Sequence, residues 1–104
     1  MALELEGKRA LVTGSSSGIG EAIARRLAAE GARLIVHGRN TERAERVAAA
    51  IRSTGGEAHV AIGDLMRDDQ AAAVADAADA ALGGIDILVN NAGGESSEIG
   101  RAHV

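Results

Sequence analysis

What most constrains the fold of this chain is a regular alternation along its length. Short runs rich in Leu, Ile and Val are each followed by turn residues and then by an Ala-rich amphipathic stretch. The runs are Arg9-Ala-Leu-Val-Thr13, Arg33-Leu-Ile-Val-His37, Ala58-His-Val-Ala-Ile62 and Ile85-Asp-Ile-Leu-Val89. The stretches between them predict helices from about Gly18 to Glu30, from Asn40 or Thr41 to about Ser53, and from Asp68 to about Leu82. Ile19, Ile23 and Leu27 recur on one helical face, as do Val47 and Ile51. Gly31, Gly55-Gly56 and Gly83-Gly84 are helix stops, because the residue past a last turn commonly needs the left-handed conformation. Strand–helix alternation of this kind predicts an α/β fold in βαβαβαβ order. Its sheet is parallel, with right-handed crossovers and helices on both faces.

The core of such a fold must be thin here. The chain has 104 residues, which allow one small domain, and it contains no Phe, Tyr or Trp. Of its hydrophobic residues, 23 are Ala. The same composition excludes several functions. Without Cys there is no disulfide framework, thiolate zinc site or Cys nucleophile. Without aromatic rings there is no stacking platform for single-stranded nucleic acid. A net charge of −4 leaves no basic footprint for duplex DNA. No apolar run approaches the roughly 20 residues of a membrane helix, and the N-terminus has no basic-then-apolar leader, so a cytoplasmic protein without membrane partners is expected.

Other charged and polar groups read as structural. Asp68 and Asp69 at a helix start complement the helix dipole, as do Glu42 and Glu45. His37 and His59 lack metal-ligand spacing and read as ordinary strand residues, so no metal site is expected. Arg43, Arg46 and Arg52 belong to a solvated, mixed-charge helix face.

The chemistry-bearing segment is the first strand–turn–helix, Thr13-Gly-Ser-Ser-Ser-Gly-Ile-Gly20. A loop at a helix N-terminus presents unpaired N–H groups and the positive end of the dipole, which suits a phosphate. Gly14 permits the tight turn, Gly18 lets the backbone approach a pyrophosphate, and Gly20 lets the helix lie close to the strand. Ser15, Ser16 and Ser17 offer hydroxyl donors. A Gly-rich turn alone is a weak signal. Here it lies in the first βα turn of a βαβ unit of suitable length, which strengthens dinucleotide binding as its reading.

Together with Asn90-Asn-Ala-Gly93 after the fourth strand, this loop closely resembles the short-chain dehydrogenase/reductase family, over about Gly7 to Gly93. The resemblance implies a Rossmann-type sheet in strand order 3-2-1-4, an incomplete doubly wound fold, with residues 1–94 as a partial NAD(P)-binding domain. It further implies that Gly14, Ser16, Ser17, Gly18, Ile19 and Gly20 hold the cofactor pyrophosphate. Asp64 would bond the adenine amino group with Leu65 beside it, and Asn90, Ala92 and Gly93 would lie along the cofactor towards the nicotinamide ribose. Asn91 is expected to tie strands together instead.

NAD-binding members of that family carry an acidic residue where the second strand ends. Here that position is Gly38, followed by Arg39 and Asn40. A missing carboxylate removes repulsion from a 2′-phosphate, and a guanidinium binds phosphate through two parallel hydrogen bonds. Arg39, with Asn40 as a further donor, therefore favours NADP(H) over NAD(H).

The family's catalytic Tyr-x-x-x-Lys pair, its Ser and its further Asn lie beyond the Asn-Asn-Ala-Gly segment. This chain has no Tyr, and Lys8 precedes the first strand, so it contains no catalytic residue. The expectation is a cofactor-binding portion of an oxidoreductase that moves hydride between nicotinamide and a carbonyl or hydroxyl substrate. A natural, non-catalytic dinucleotide-binding module is the alternative. The parent is expected to be a homo-oligomer whose usual interface helices lie outside this chain. Residues 95–104 fit no strand or helix of the family. Glu98-Ile-Gly-Arg-Ala-His-Val104 reads as a translated sequencing adapter, GAG ATC GGA AGA GCA CAC GTC.

Overall fold

The computed structural model describes residues 4–91. Ala92, Gly93 and residues 95–104, adapter-like from residue 98, lie outside the described residues. The elements run β1 (Arg9–Val12), α1 (Gly18–Ala29), β2 (Arg33–Gly38), α2 (Thr41–Ser53), β3 (Glu57–Ile62), α3 (Asp68–Leu82) and β4 (Ile87–Val89). The four strands form one sheet in the order β3-β2-β1-β4, every pair parallel. This is the expected 3-2-1-4 arrangement.

Strand register shows how a chain poor in large side chains builds a core. On one face, Val60, Val36, Val12 and Val89 form a row across all four strands. Beside it runs the row Ala58, Leu34, Ala10 and Ile87. These rows pack with Ala24 of α1 and with Ala44, Val47, Ala48 and Ile51 of α2. β-Branched residues suit this pleated surface, and Ala lets the helices come close. On the opposite face, Leu11, Ile35 and Ala61 meet Val74, Ala78 and Leu82 of α3. One helix covers less of the sheet than two, and Leu88 on β4 remains 42% exposed.

Several boundaries differ from the sequence expectation; α1 ends one residue early at Ala29 and β2 one residue late at Gly38. β1 stops at Val12: the Thr13 amide still donates towards β4, to Val89 O at 3.0 Å, but the Gly14 amide that would next face β2 donates to the His37 ring instead of to backbone. β3 starts one residue early, at Glu57, which pairs with Arg33 in register and through two side-chain hydrogen bonds. β4 starts two residues late, because Asp86 clamps the sheet edge before the ladder begins. Its amide donates to Arg9 O at 2.7 Å, and its carboxylate accepts from the Arg9 amide, Nε and Nη2 at 2.8 to 3.0 Å.

The Arg9 hydrogen bonds hold the Asp86 carboxyl well below the usual carboxylate range. A depressed folded-state pKa contributes stability above the unfolded carboxylate value of about 3.9, and that contribution disappears as pH falls through the folded value. Asp86→Asn is therefore expected to lower the melting temperature modestly at neutral pH and to flatten the acid limb of the stability curve. Thermal melts across the acid range check this, and an unchanged acid limb would rule the clamp out.

Candidate functional site

Because all four strands are parallel, the segments that leave their carboxyl ends gather along one edge of the sheet. The loop 13–17 leaves β1, Arg39 and Asn40 leave β2, Asp64 and Leu65 leave β3, and Asn90 leaves β4. Strand order reverses direction between β1 and β4, and that divergence is where open α/β sheets bind ligands.

Within the first loop, Gly14 and Gly18 have φ of 65° and 60°, a region that favours glycine. A Cβ at Gly18 would meet nothing within 4 Å, so the backbone there faces open space. Gly20 is the opposite case. A Cβ at that position would collide with the Gly14 carbonyl and lie 2.6 Å from Asn91 Nδ2. The close approach is thus between the first turn of α1 and the loop itself, rather than between helix and strand. Ser17 caps α1 through backbone geometry alone, without a side-chain hydrogen bond. The first amides of such a helix have no partner within it.

The serines divide into two roles. Ser15 is fully buried, and its hydroxyl donates to Val12 O at 2.7 Å while accepting from the His37 amide at 2.9 Å. Its amide donates to His37 O at 2.7 Å. Ser15 therefore locks the loop onto β2, which corrects the expectation that its hydroxyl is a free donor. Ser16 is half-buried and Ser17 exposed, so these two keep access to the site edge. Ile19, assigned above both to the core stripe and to the site, is 74% exposed at the start of α1. The core stripe of that helix is carried instead by Ala24, Ile23 and Leu27.

Thr13, Asn90 and Asn91 stitch β4 to the loop. The Asn91 amide donates to Thr13 Oγ1 at 2.8 Å, and Asn91 Nδ2 donates to Gly14 O at 3.3 Å. Thr13 Oγ1 lies 3.3 Å from Asn90 Oδ1. Asn91 thus joins the ends of β1 and β4, in keeping with the tying role expected of it.

At the end of β2, Asn40 settles the choice of cap for α2. Its Oδ1 accepts from the Arg43 amide at 2.9 Å, which leaves Nδ2 as its remaining donor. Arg39 is exposed and makes no ion pair among the described residues. Gly38 faces Ser16: a Cβ there would lie 2.5 Å from Ser16 Oγ. After β3, Asp64 Oδ1 accepts from the Met66 amide, and the Asp64 amide donates to Gln70 Oε1 at 2.6 Å. No group of His, Cys, Asp or Glu suited to a metal ion occurs among the described residues.

One residue was missed by sequence reasoning. His37 is 2% exposed, and its ring nitrogens engage the Gly14 amide and the Gly63 carbonyl, each at 2.8 Å. Burial pushes the imidazole below its ordinary value, and Arg39 adds to this against the opposing Gly63 carbonyl. A usable signal was present. A polar side chain closing an otherwise apolar central strand must find partners once buried.

The family model described as short chain dehydrogenase matches residues 8–103. Nodulation protein G of Rhizobium sp. (strain N33) is 48% identical over 90 residues, covering 86% of this chain and 36% of that protein. A crystal structure of a metagenomic short-chain oxidoreductase in complex with NADP is 47% identical with a TM-score of 0.80, covering 86% of this chain and 40% of that one. A 7α-hydroxysteroid dehydrogenase complexed with NADH and 7-oxo glycochenodeoxycholic acid is 39% identical with a TM-score of 0.82, covering 86% of this chain and 35% of that one. The chain spans little more than a third of the length of these relatives.

Proposed function

The chain belongs to the short-chain dehydrogenase family, and on that footing we propose that it forms the dinucleotide-binding portion of an NADP(H)-dependent oxidoreductase acting on a carbonyl or hydroxyl substrate. The observation that carries this reading is the gathering of an open glycine loop, an arginine with no ion pair among the described residues, and two further strand-end loops along one sheet edge. The residues fit the group. Amides at the start of α1, with Gly14, Ser16, Ser17, Gly18, Ile19 and Gly20, would hold the pyrophosphate. Asp64 and Leu65 would receive the adenine. Asn90 would lie towards the nicotinamide ribose.

When bound, the dinucleotide supplies or accepts the hydride. The chain's own residues bind and orient it. With no Tyr, and with Lys8 ahead of β1, this chain carries no proton-transfer group of the family's kind, so it binds cofactor without turnover by itself.

The preference for NADP(H) rests on Arg39 and Gly38. Position 38 is glycine, so no carboxylate closes β2 to repel a 2′-phosphate, and Ser16 occupies the space into which a side chain there would grow. Charge-assisted, bidentate hydrogen bonds to Arg39 would then favour the phosphate. Related structures hold either NADP or NADH, so direct titration decides. Fluorescence titration of the chain should give tighter binding of NADPH than of NADH. Arg39→Ala should weaken NADPH about tenfold to a hundredfold while leaving NADH nearly unchanged. Equal loss for both cofactors would overturn the assignment of Arg39, and binding of neither would overturn the function.

A further inference from the structure

We propose that His37, as the neutral tautomer protonated on Nε2, is a positioning residue that holds the pyrophosphate loop and the β3–α3 loop in one fixed relation. The functional meaning of this strut rests on the dinucleotide reading above, but the strut itself does not.

The geometry determines the tautomer from both sides. A backbone amide only donates, so the 2.8 Å contact from Gly14 N requires a lone pair on His37 Nδ1. A carbonyl only accepts, so the 2.8 Å contact at Gly63 O requires a proton on Nε2. The two partners demand the same single protonation state. The His37 backbone adds its amide to Ser15 Oγ and its carbonyl to Ser15 N. Gly63 is held a second time, its amide donating to Gly38 O at 3.1 Å. One residue at the end of β2 therefore joins the glycine turn after β1 to the turn that carries Asp64.

The Gly14 bond matters most for the site. Gly14 sits at positive φ, and its carbonyl is the atom against which Gly20 of α1 packs. A second ring proton would put N–H against N–H at Gly14 and break that bond. The charged groups nearby are Arg39, which disfavours the imidazolium, and Asp64 next to Gly63, whose Oδ1 is occupied by the Met66 amide.

Two variants separate the two ring contacts. His37→Asn keeps an acceptor near the place of Nδ1, and His37→Gln keeps a donor near the place of Nε2. Amide hydrogen exchange at Gly14 should accelerate about tenfold in His37→Gln, the loss of one hydrogen bond, and change little in His37→Asn. NADPH affinity should follow the same order. Acidification well below the ordinary His value of about 6.5 should weaken NADPH binding more in the wild type than in His37→Asn, whose loss reflects protonation of the 2′-phosphate alone. Long-range 1H–15N NMR of the wild-type imidazole should show the Nε2–H tautomer at neutral pH. The NMR and exchange readouts need no cofactor, so they decide on the strut even if the chain binds neither NADPH nor NADH. A proton on Nδ1, or equal Gly14 exchange in the two variants, overturns it.

Discussion

Gly20→Ala is expected to abolish measurable NADPH binding and to destabilise the chain by about 1–3 kcal/mol, the usual cost of forcing a methyl group into filled space. Two effects oppose each other at this position. In an ordinary helix, replacing Gly by Ala is favourable by about 1 kcal/mol, because alanine has less backbone freedom to lose. Here the added methyl would fall on the Gly14 carbonyl oxygen, a backbone atom that cannot rotate away, and close to Asn91 Nδ2. Moving Gly14 O means moving the turn, and with it the Gly14 amide that reaches His37. The collision therefore outweighs the propensity gain. Gly18→Ala is the informative comparison. Its methyl would meet nothing within 4 Å, so only its φ of 60° is penalised, at about 1–2 kcal/mol. Thermal melts and NADPH titrations of both variants test this. A Gly20→Ala chain that melts and binds like the wild type would show that the turn yields without consequence.

Leu34→Ala should cost about 2–5 kcal/mol, a large part of the roughly 5–15 kcal/mol that holds a typical domain together. Leu34 is fully buried at the centre of the sheet. Its cross-strand neighbours are Ala10 on β1 and Ala58 on β3. Neither can extend a side chain into the space that Leu34 would vacate, so the cavity persists and the loss belongs at the upper part of the range. Leu88→Ala removes the same atoms from a site that is 42% exposed and should cost less than about 1 kcal/mol. Urea denaturation separates the two, since a pure stability change moves the midpoint and leaves the slope alone. Equal midpoints for the two variants would contradict the core described above.

The two predictions draw on different kinds of information. Leu34 stands out in the sequence as the start of an apolar run, and its strand is legible from that run. That its neighbours are Ala10 and Ala58 depends on strand register, which parallel pairing across intervening helices sets. Likewise, the glycine spacing marks the turn before α1, whereas the atom that Gly20 meets belongs to the loop and not to the strand. Ser15 and Ser16 are identical and adjacent in sequence. One is turned inwards to satisfy Val12 O and the His37 amide, while the other packs against Gly38. No local rule separates them.

Periodicity and turn chemistry were sufficient for the element order and the parallel sheet. These depend on local propensity and on a chirality rule that holds regardless of detail. The early start of β3, the late start of β4, the exposure of Ile19 and the double engagement of His37 belong to the packed molecule. All but the exposure of Ile19 arise where a residue meets a partner far away in the chain: Arg33 for Glu57, Arg9 for Asp86, and Gly14 with Gly63 for His37. Side-chain pattern carries periodicity, but a buried donor or acceptor is satisfied by whatever the fold brings beside it, and that neighbour is known only once the strands have paired.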